Sequence, residues 1–179
     1  INLDIGIVVL EITETLDLTP ANKTTALANM RLRNSSETND FVVLSGAIKI
    51  LETDAVNLTV HLNEAQRVRA IQISNTPGGD GVPMLFDADA NAITDLANNT
   101  NLATLNNVVL ESPDVTRPTV QSAKINYSTG VLIIHASETL DAVPATLFDL
   151  TKIKVKNTSN STILSFSNTL SFVFKFSCD

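Results

Sequence analysis

The strongest constraint on this chain is that it writes one pattern twice. With Gly6 set on Gly130, GIVVLEITETLD lies over GVLIIHASETLD, and after a one-residue offset MRLRNSS lies over IKVKNTS. Upstream, INLD (1–4) falls on INYS (125–128); downstream, NLTVHL (57–62) falls on LSFVFKF (170–176) after a shorter connection. A duplicated unit of this kind marks an array whose members stack or follow one another. The first copy enters part-way through a segment that the second opens at Arg117-Pro118. The second copy has nothing corresponding to residues 63–113. Each copy is therefore expected to lack one part, the first its opening strand and the second its later half. The start at Ile1 and the end at Cys178-Asp179 fit a processed protein or a stretch of a longer one.

Within each copy the pattern is that of strands: β-branched and apolar runs bounded by Asn, Asp, Ser, Gly and Pro. One parity of IVVLEITE gives Val8, Leu10 and Ile12, and the equivalent parity later gives Leu132, Ile134 and Ala136. Those residues are expected to face a core, with Glu11 and His135 on the opposite face. Further strands are expected at 30–34, 41–51, 56–62, 82–87, 106–112, 118–127, 152–157, 162–167 and 170–176. One helix interrupts them, with Asn63 as N-cap of EAQRVRAI and Val68 and Ile71 as its apolar side. The expected fold class is all-β: tandem antiparallel sandwiches over 1–113 and 114–179, joined by a short, stiff ESPDVTRP (111–118).

The hydrophobic fraction of 44% is enough for a packed core, and the formal charge of −7 argues against nucleic acid as a partner, which needs a basic patch. No apolar run has the roughly 18–20 residues of a membrane span. A single Cys excludes a disulfide within these residues and leaves Cys178 as a lone buried thiol or a link to another chain.

The order SETLD after a strand, then SNTPGGDGVP (74–83), then AITDLANN (92–99), resembles the tandem Ig-like repeats of large surface-layer and adhesin-type proteins. In that family an Asp-x-Ala-Gly-Asn turn comes late in the domain. Asp95, Ala97 and Asn99 match it, and Asn98 stands where the family commonly has Gly. The resemblance implies an Ig-like fold at the cell surface and is weakly informative about role, since the fold hosts many.

Candidate chemistry is sparse. N-x-Ser/Thr occurs at Asn22, Asn34, Asn57, Asn98, Asn126, Asn157 and Asn160. Asn34 and Asn157 end the same strand in both copies, so N-linked glycans are expected there, clear of the sheet. Asp87, Asp89, Asn91 and Asp95 are spaced somewhat like a calcium loop. Ala92, however, takes the place of the turn Gly and Asn98 that of the bidentate Glu, so an Asn/Asp-rich turn is the better reading and calcium the one cofactor candidate. His61 and His135 exchange with Lys175 and Glu11 between copies, as solvent-facing residues do, and no nucleophile or orienting group accompanies them. TPGGDG follows a helix and precedes a strand, the reverse of a phosphate-cradling loop.

The reading that results is not an enzyme. It is a structural subunit of an extracellular glycosylated fibril or rod, its partners copies of itself joined head to tail, with strands donated between subunits. Phe172, Phe174 and Phe176 are the expected assembly residues, buried between neighbouring chains. The alternative is a cell-surface adhesion module, or one binding calcium or glycan through residues 74–95.

Overall fold

The computed structural model describes residues 1–19, 25–50, 53–141, 149–157, 159, 162–166 and 174–177, with side chains left undescribed at 163–164 and 174–177. The expected Cys178, Phe172, Asn22 and Asn160 lie outside these residues. The chain is mostly β with antiparallel sheets, and it divides into two compact units, Ile1–Thr116 and Arg117–Asp179.

The first unit holds strands β1 (Ile7–Leu16), β2 (Met30–Asn34), β3 (Phe41–Val43), β4 (Ile48–Lys49), β5 (Ala55–His61), β6 (Met84–Ala88) and β7 (Thr104–Val108). They form two sheets, ordered β1-β5-β4 and β3-β2-β6-β7. The run 41–51, expected as one strand, breaks at Gly46, whose φ of 87° turns the chain between β3 and β4. Alternation puts Val8, Leu58 and Val60 of one sheet and Leu32, Val42 and Met84 of the other into a single core. Leu10 and Ile12 pack against that core as expected but are only partly buried.

Helix α1 (Glu64–Gln72) begins where expected. The Asn63 side chain accepts from the Gln66 amide at 2.9 Å, and the Gln66 side chain accepts from the Asn63 amide at 3.0 Å, a reciprocal capping box. Its core contacts come from Ala70, with Ile71 packed at the margin and Val68 half-buried. Two polar residues are buried with it. Gln66 Nε2 donates to the carbonyls of Val43 and Ser45, both at 2.8 Å. Arg67 reaches Glu64, the carbonyl of Leu3 and Asp114, the last at 2.6 Å, so one guanidinium ties the start of the unit and its end to the helix. The TPGGDG stretch is a compact turn folded onto the helix end. The Gly81 amide donates to the Ser74 carbonyl, and a Cβ on Gly79 would stand 2.1 Å from that same oxygen.

The second unit contains β8 (Val120–Asn126), β9 (Val131–Ala136), β10 (Lys154–Lys156), β11 (Thr162–Ser165) and β12 (Phe174–Ser177), in sheets β12-β9-β8 and β10-β11. Leu132, Ile134 and Phe166 are buried, with Ile125, Leu150, Ile153 and Val155 packed around them.

Much of the sequence repeat recurs in local structure. Asn2 pairs with Ile7 across a turn containing Gly6 at φ 67°, and Asn126 pairs with Val131 across a turn containing Gly130 at φ 69°. In both, the Asn side chain accepts from the amide two residues on, at 3.0 Å. A 3₁₀ turn precedes each following strand, Leu27–Asn29 before β2 and Leu150–Lys152 before β10. Leu32 then faces Val42 as Val155 faces Leu164. The equivalence ends at β5. That strand runs antiparallel to β1, whereas β12, which carries Phe174 and Phe176, runs parallel to β9, with Phe174 opposite Leu132 and Phe176 opposite Ile134. The first copy reverses direction through the Gly46 turn and β4 within 44–54; the second has only 166–173 for that connection. The expected match of 57–62 to 170–176 is thus corrected in direction, and this backbone pairs within its own unit.

The boundary between units lies at 116/117 because residues 112–116 are held by the first. The Leu3 amide donates to Ser112 at 2.9 Å, and Asp4 Oδ1 accepts from the amides of Val115 and Thr116 at 2.9 and 2.8 Å. The Val115 amide, then the Thr116 hydroxyl and amide, hold the Asp4 carboxyl at about 2 against its ordinary 3.8. A depressed carboxyl pKa contributes stability above the unfolded value that is lost as pH falls through the folded one. We expect an NMR titration to place Asp4 near 2, with the amide shifts of Val115 and Thr116 moving at the same midpoint; a midpoint near 3.8 would contradict the pairing.

Candidate assembly edge and the charged face

The residues expected to bind calcium lie on the outer side of the β3-β2-β6-β7 sheet and in the loop after β6. Asp87 sits opposite Arg31 in the β2–β6 ladder. Its Oδ2 accepts from Arg31 Nε at 3.3 Å and from Arg33 Nε at 3.1 Å, and its Oδ1 accepts from the Asn106 amide at 2.8 Å. Asp89 takes the two terminal nitrogens of Arg31 at 3.1 and 3.2 Å. Arg33 and Asp87 are both buried, at 7% and 3% exposure. Burial alone would push the Asp87 carboxyl up, but the Asn106 amide and the guanidiniums of Arg33 and Arg31 outweigh it, and its pKa is lowered. Arg31 is raised, first by its bond to Asp89.

The other two expected ligands are spent locally. Asn91 Oδ1 accepts from the Thr100 hydroxyl at 2.7 Å. Asp95 accepts the amides of Ala97 and Asn99 and the side-chain amide of Asn99, all at 2.8 Å, and Asn99 foremost lowers its pKa. Asn98 sits at φ 65°, the left-handed conformation that Gly supplies in the resembling turn and Asn tolerates. Two of the carboxylates thus neutralise arginines and the third builds a turn, the arrangement of an Asn/Asp-rich turn. Among the described residues no cluster of three or more His, Cys, Asp or Glu could hold a metal ion. His61 is exposed on β5 and His135 half-buried on β9.

The sequons differ in environment. Asn57, Asn98, Asn126 and Asn157 are exposed. Asn34 is 2% exposed; its Nδ2 donates to Asp80, and its Oδ1 accepts from the amide and hydroxyl of Ser36 at 2.8 and 2.7 Å. The atom that would carry a sugar is buried and already bonded, so the expectation of a glycan standing clear of the sheet at Asn34 is corrected, and Asn34 and Asn157 are not equivalent in exposure.

The remaining candidate is an edge. β1 is the terminal strand of its sheet and β7 the terminal strand of the other. Between them runs a cleft of about 660 Å³, lined by Val9, Glu11, Phe86, Thr104, Val108 and Leu110 among others, with Val8 and Leu32 of the core at its floor. Val108 and Leu110 are 79% and 86% exposed, so the rim is apolar and open to water. At one end of the cleft, Asn2 pairs antiparallel with Ile7 and parallel with Ser112. At the other, Leu16 bridges Asp95. Among the described residues no strand occupies the edge of β1 between these points.

No family model, characterised protein or solved structure matches the chain. No helix among the described residues is long and apolar enough to cross a membrane.

Removing one member of a buried, hydrogen-bonded ion pair typically costs about 3–5 kcal/mol, because the partner charge stays buried. Asp87→Ala is accordingly expected to lower the urea midpoint of the first unit strongly. The pair replacement Arg33→Met with Asp87→Leu should recover most of the loss, and an Asp87→Ala midpoint equal to the parent's would show that the network contributes little.

Proposed function

We propose that this chain is a structural segment of an extracellular, glycosylated fibril or rod built from tandem Ig-like repeats, and that it acts by mechanics and packing rather than by turnover. The observation that carries the reading is the recurrence, in both units, of the same Asn-Gly hairpin, 3₁₀ turn and following strand pair. Repeated units of this kind serve extended architecture, where each contacts its neighbours. The open β1 and β7 edges, with apolar side chains beside them, supply sticky ends, and a head-to-tail contact between unlike edges propagates unless its rotation closes. The exposed Asn57, Asn98, Asn126 and Asn157 would carry the glycans.

Sedimentation velocity on the chain tests the assembly. Species that grow with concentration through a ladder of sizes are the expected result; a single monomer boundary at about millimolar concentration, where even weak specific contacts of roughly −4 kcal/mol would populate complexes, would refute it. Peptide mapping of native material is expected to find sugar on exposed sequons and none on Asn34.

A further inference from the structure

The outer faces of the two sheets in the first unit differ in kind. On β2 and β6 the outward positions carry the ion pairs of Arg31 and Arg33 with Asp87. On the β1-β5-β4 sheet they are largely apolar. Leu58 and Val60 of β5 point into the core, so alternation turns Asn57, Thr59 and His61 outward. Register then sets the rows across that face. His61 lies between Ile7 of β1 and Ile48 of β4; Thr59 lies opposite Val9, and its carbonyl accepts from the Ile50 amide at 2.9 Å; Asn57 lies opposite Glu11. Ile48, Val9 and Ile50 are 66%, 49% and 45% exposed, so two consecutive rows of an outer sheet face present branched aliphatic side chains to water.

Asn57 stands at the end of those rows and opens the sequon Asn57-Leu58-Thr59. It is exposed, and among the described residues its side-chain amide has no hydrogen-bond partner. The other described sequons are placed differently. Asn34 is buried and bonded, Asn98 lies in the turn built by Asp95, and Asn126 Oδ1 accepts from the amides of Ser128 and Thr129 in the β8–β9 hairpin. Asn157 follows β10. Among them Asn57 alone sits within a strand, away from both its ends, with aliphatic side chains flanking the next outward residue.

We propose that an N-linked glycan on Asn57 folds back along β5 and packs its first rings on Thr59, Val9, Ile50 and Ile48, so that the sugar is the outer cover of the β1-β5-β4 sheet. This rests on the glycoprotein reading above and gives one of its sugars a place in the fold. Outward residues two apart on a strand are separated by about 7 Å, which brings the row of Thr59 and then that of His61 within reach of the first two rings. A pyranose ring has a face of C–H groups that suits aliphatic side chains, while its hydroxyls stay in water at the rim. Because the sugar is tethered, the contact is intramolecular and needs little affinity of its own. Covered in this way, the face is withheld from stacking on another molecule.

The test uses the whole chain made in a host that glycosylates sequons, alongside the same chain from one that does not. Peptide mapping first reads the occupancy of Asn57. A bare Asn57 overturns the proposal and the glycan reading at this site together, whereas every later failure overturns the packing alone. With the sugar in place, nuclear Overhauser contacts are expected between protons of its first two rings and the methyls of Val9 and Ile50. Removing it by Asn57→Gln is expected to speed hydrogen exchange at the Leu58 and Val60 amides about tenfold, the size that goes with roughly 60 Å² of apolar surface returned to water. The same substitution in the unglycosylated chain is expected to change nothing, as is Asn98→Gln in the glycosylated one. Missing sugar-to-methyl contacts, or exchange at Leu58 and Val60 that Asn57→Gln leaves unmoved, would overturn the cover. An equal acceleration in the unglycosylated chain would assign the effect to the Asn57 side chain and overturn it as well. Protection of Ile48 and Ile50 that grows with protein concentration in the glycosylated chain would make a second copy the cover instead.

Discussion

The first unit depends on the ladder between β1 and β5. It runs from Ile7 opposite His61 to Glu11 opposite Asn57, and it sets Val8, Leu58 and Val60 on one face. Because side chains alternate with a period of two, a slip of one residue would turn that whole set into water. Its register is held at one end by the Gly6 turn, whose left-handed backbone only Gly adopts without strain, and where the Leu62 amide donates to the Gly6 carbonyl. The second sheet can close on this face only while the register holds, and the charged outer face of that sheet depends on it in turn.

That outer face shows how the same residues serve stability or chemistry according to their neighbours. A carboxylate triad with no counter-ion would invite a cation. Here β2 contributes Arg31 and Arg33, and in-register pairing with β6 brings them against Asp87 and Asp89. In a partly dehydrated setting, guanidiniums bonded to carboxylates satisfy both partners without a metal. The second copy writes Lys154 and Lys156 at the positions of Arg31 and Arg33 and leaves them exposed. The difference lies in what stands opposite: β6 supplies the carboxylates in the first unit, whereas Lys154 and Lys156 pair in register with Ser165 and Thr162 of β11.

What the sequence made legible was local, and what it concealed was long-range. The parity of β1 and β9 and the cap of α1 follow from spacings of two and three residues, and the structure places Val8, Leu132, Ile134 and Asn63 accordingly. The Gln66 of the capping box was readable in the same way, since it stands three residues after Asn63. Asn34 is different. Its sequon is three letters long, but its burial comes from Asp80, in a turn 46 residues later. Asp87 likewise acquires its role from Arg33, 54 residues earlier, and no local window contains both.

The two copies separate these effects, because they share a local pattern and differ in neighbours. Leu10 and Ile134 hold the same place in the same strand after the same turn, and the local sequence assigns both to a core. Their burial nonetheless diverges, since burial depends on what lies across the strand edge and the repeat does not encode that. A half-covered core residue beside an open ladder costs apolar surface on the order of 25 cal/mol per Å² left in water. The cost falls on Leu10, Ile12 and the cleft-lining Phe86 together, three side chains whose residue types suit a closed interior.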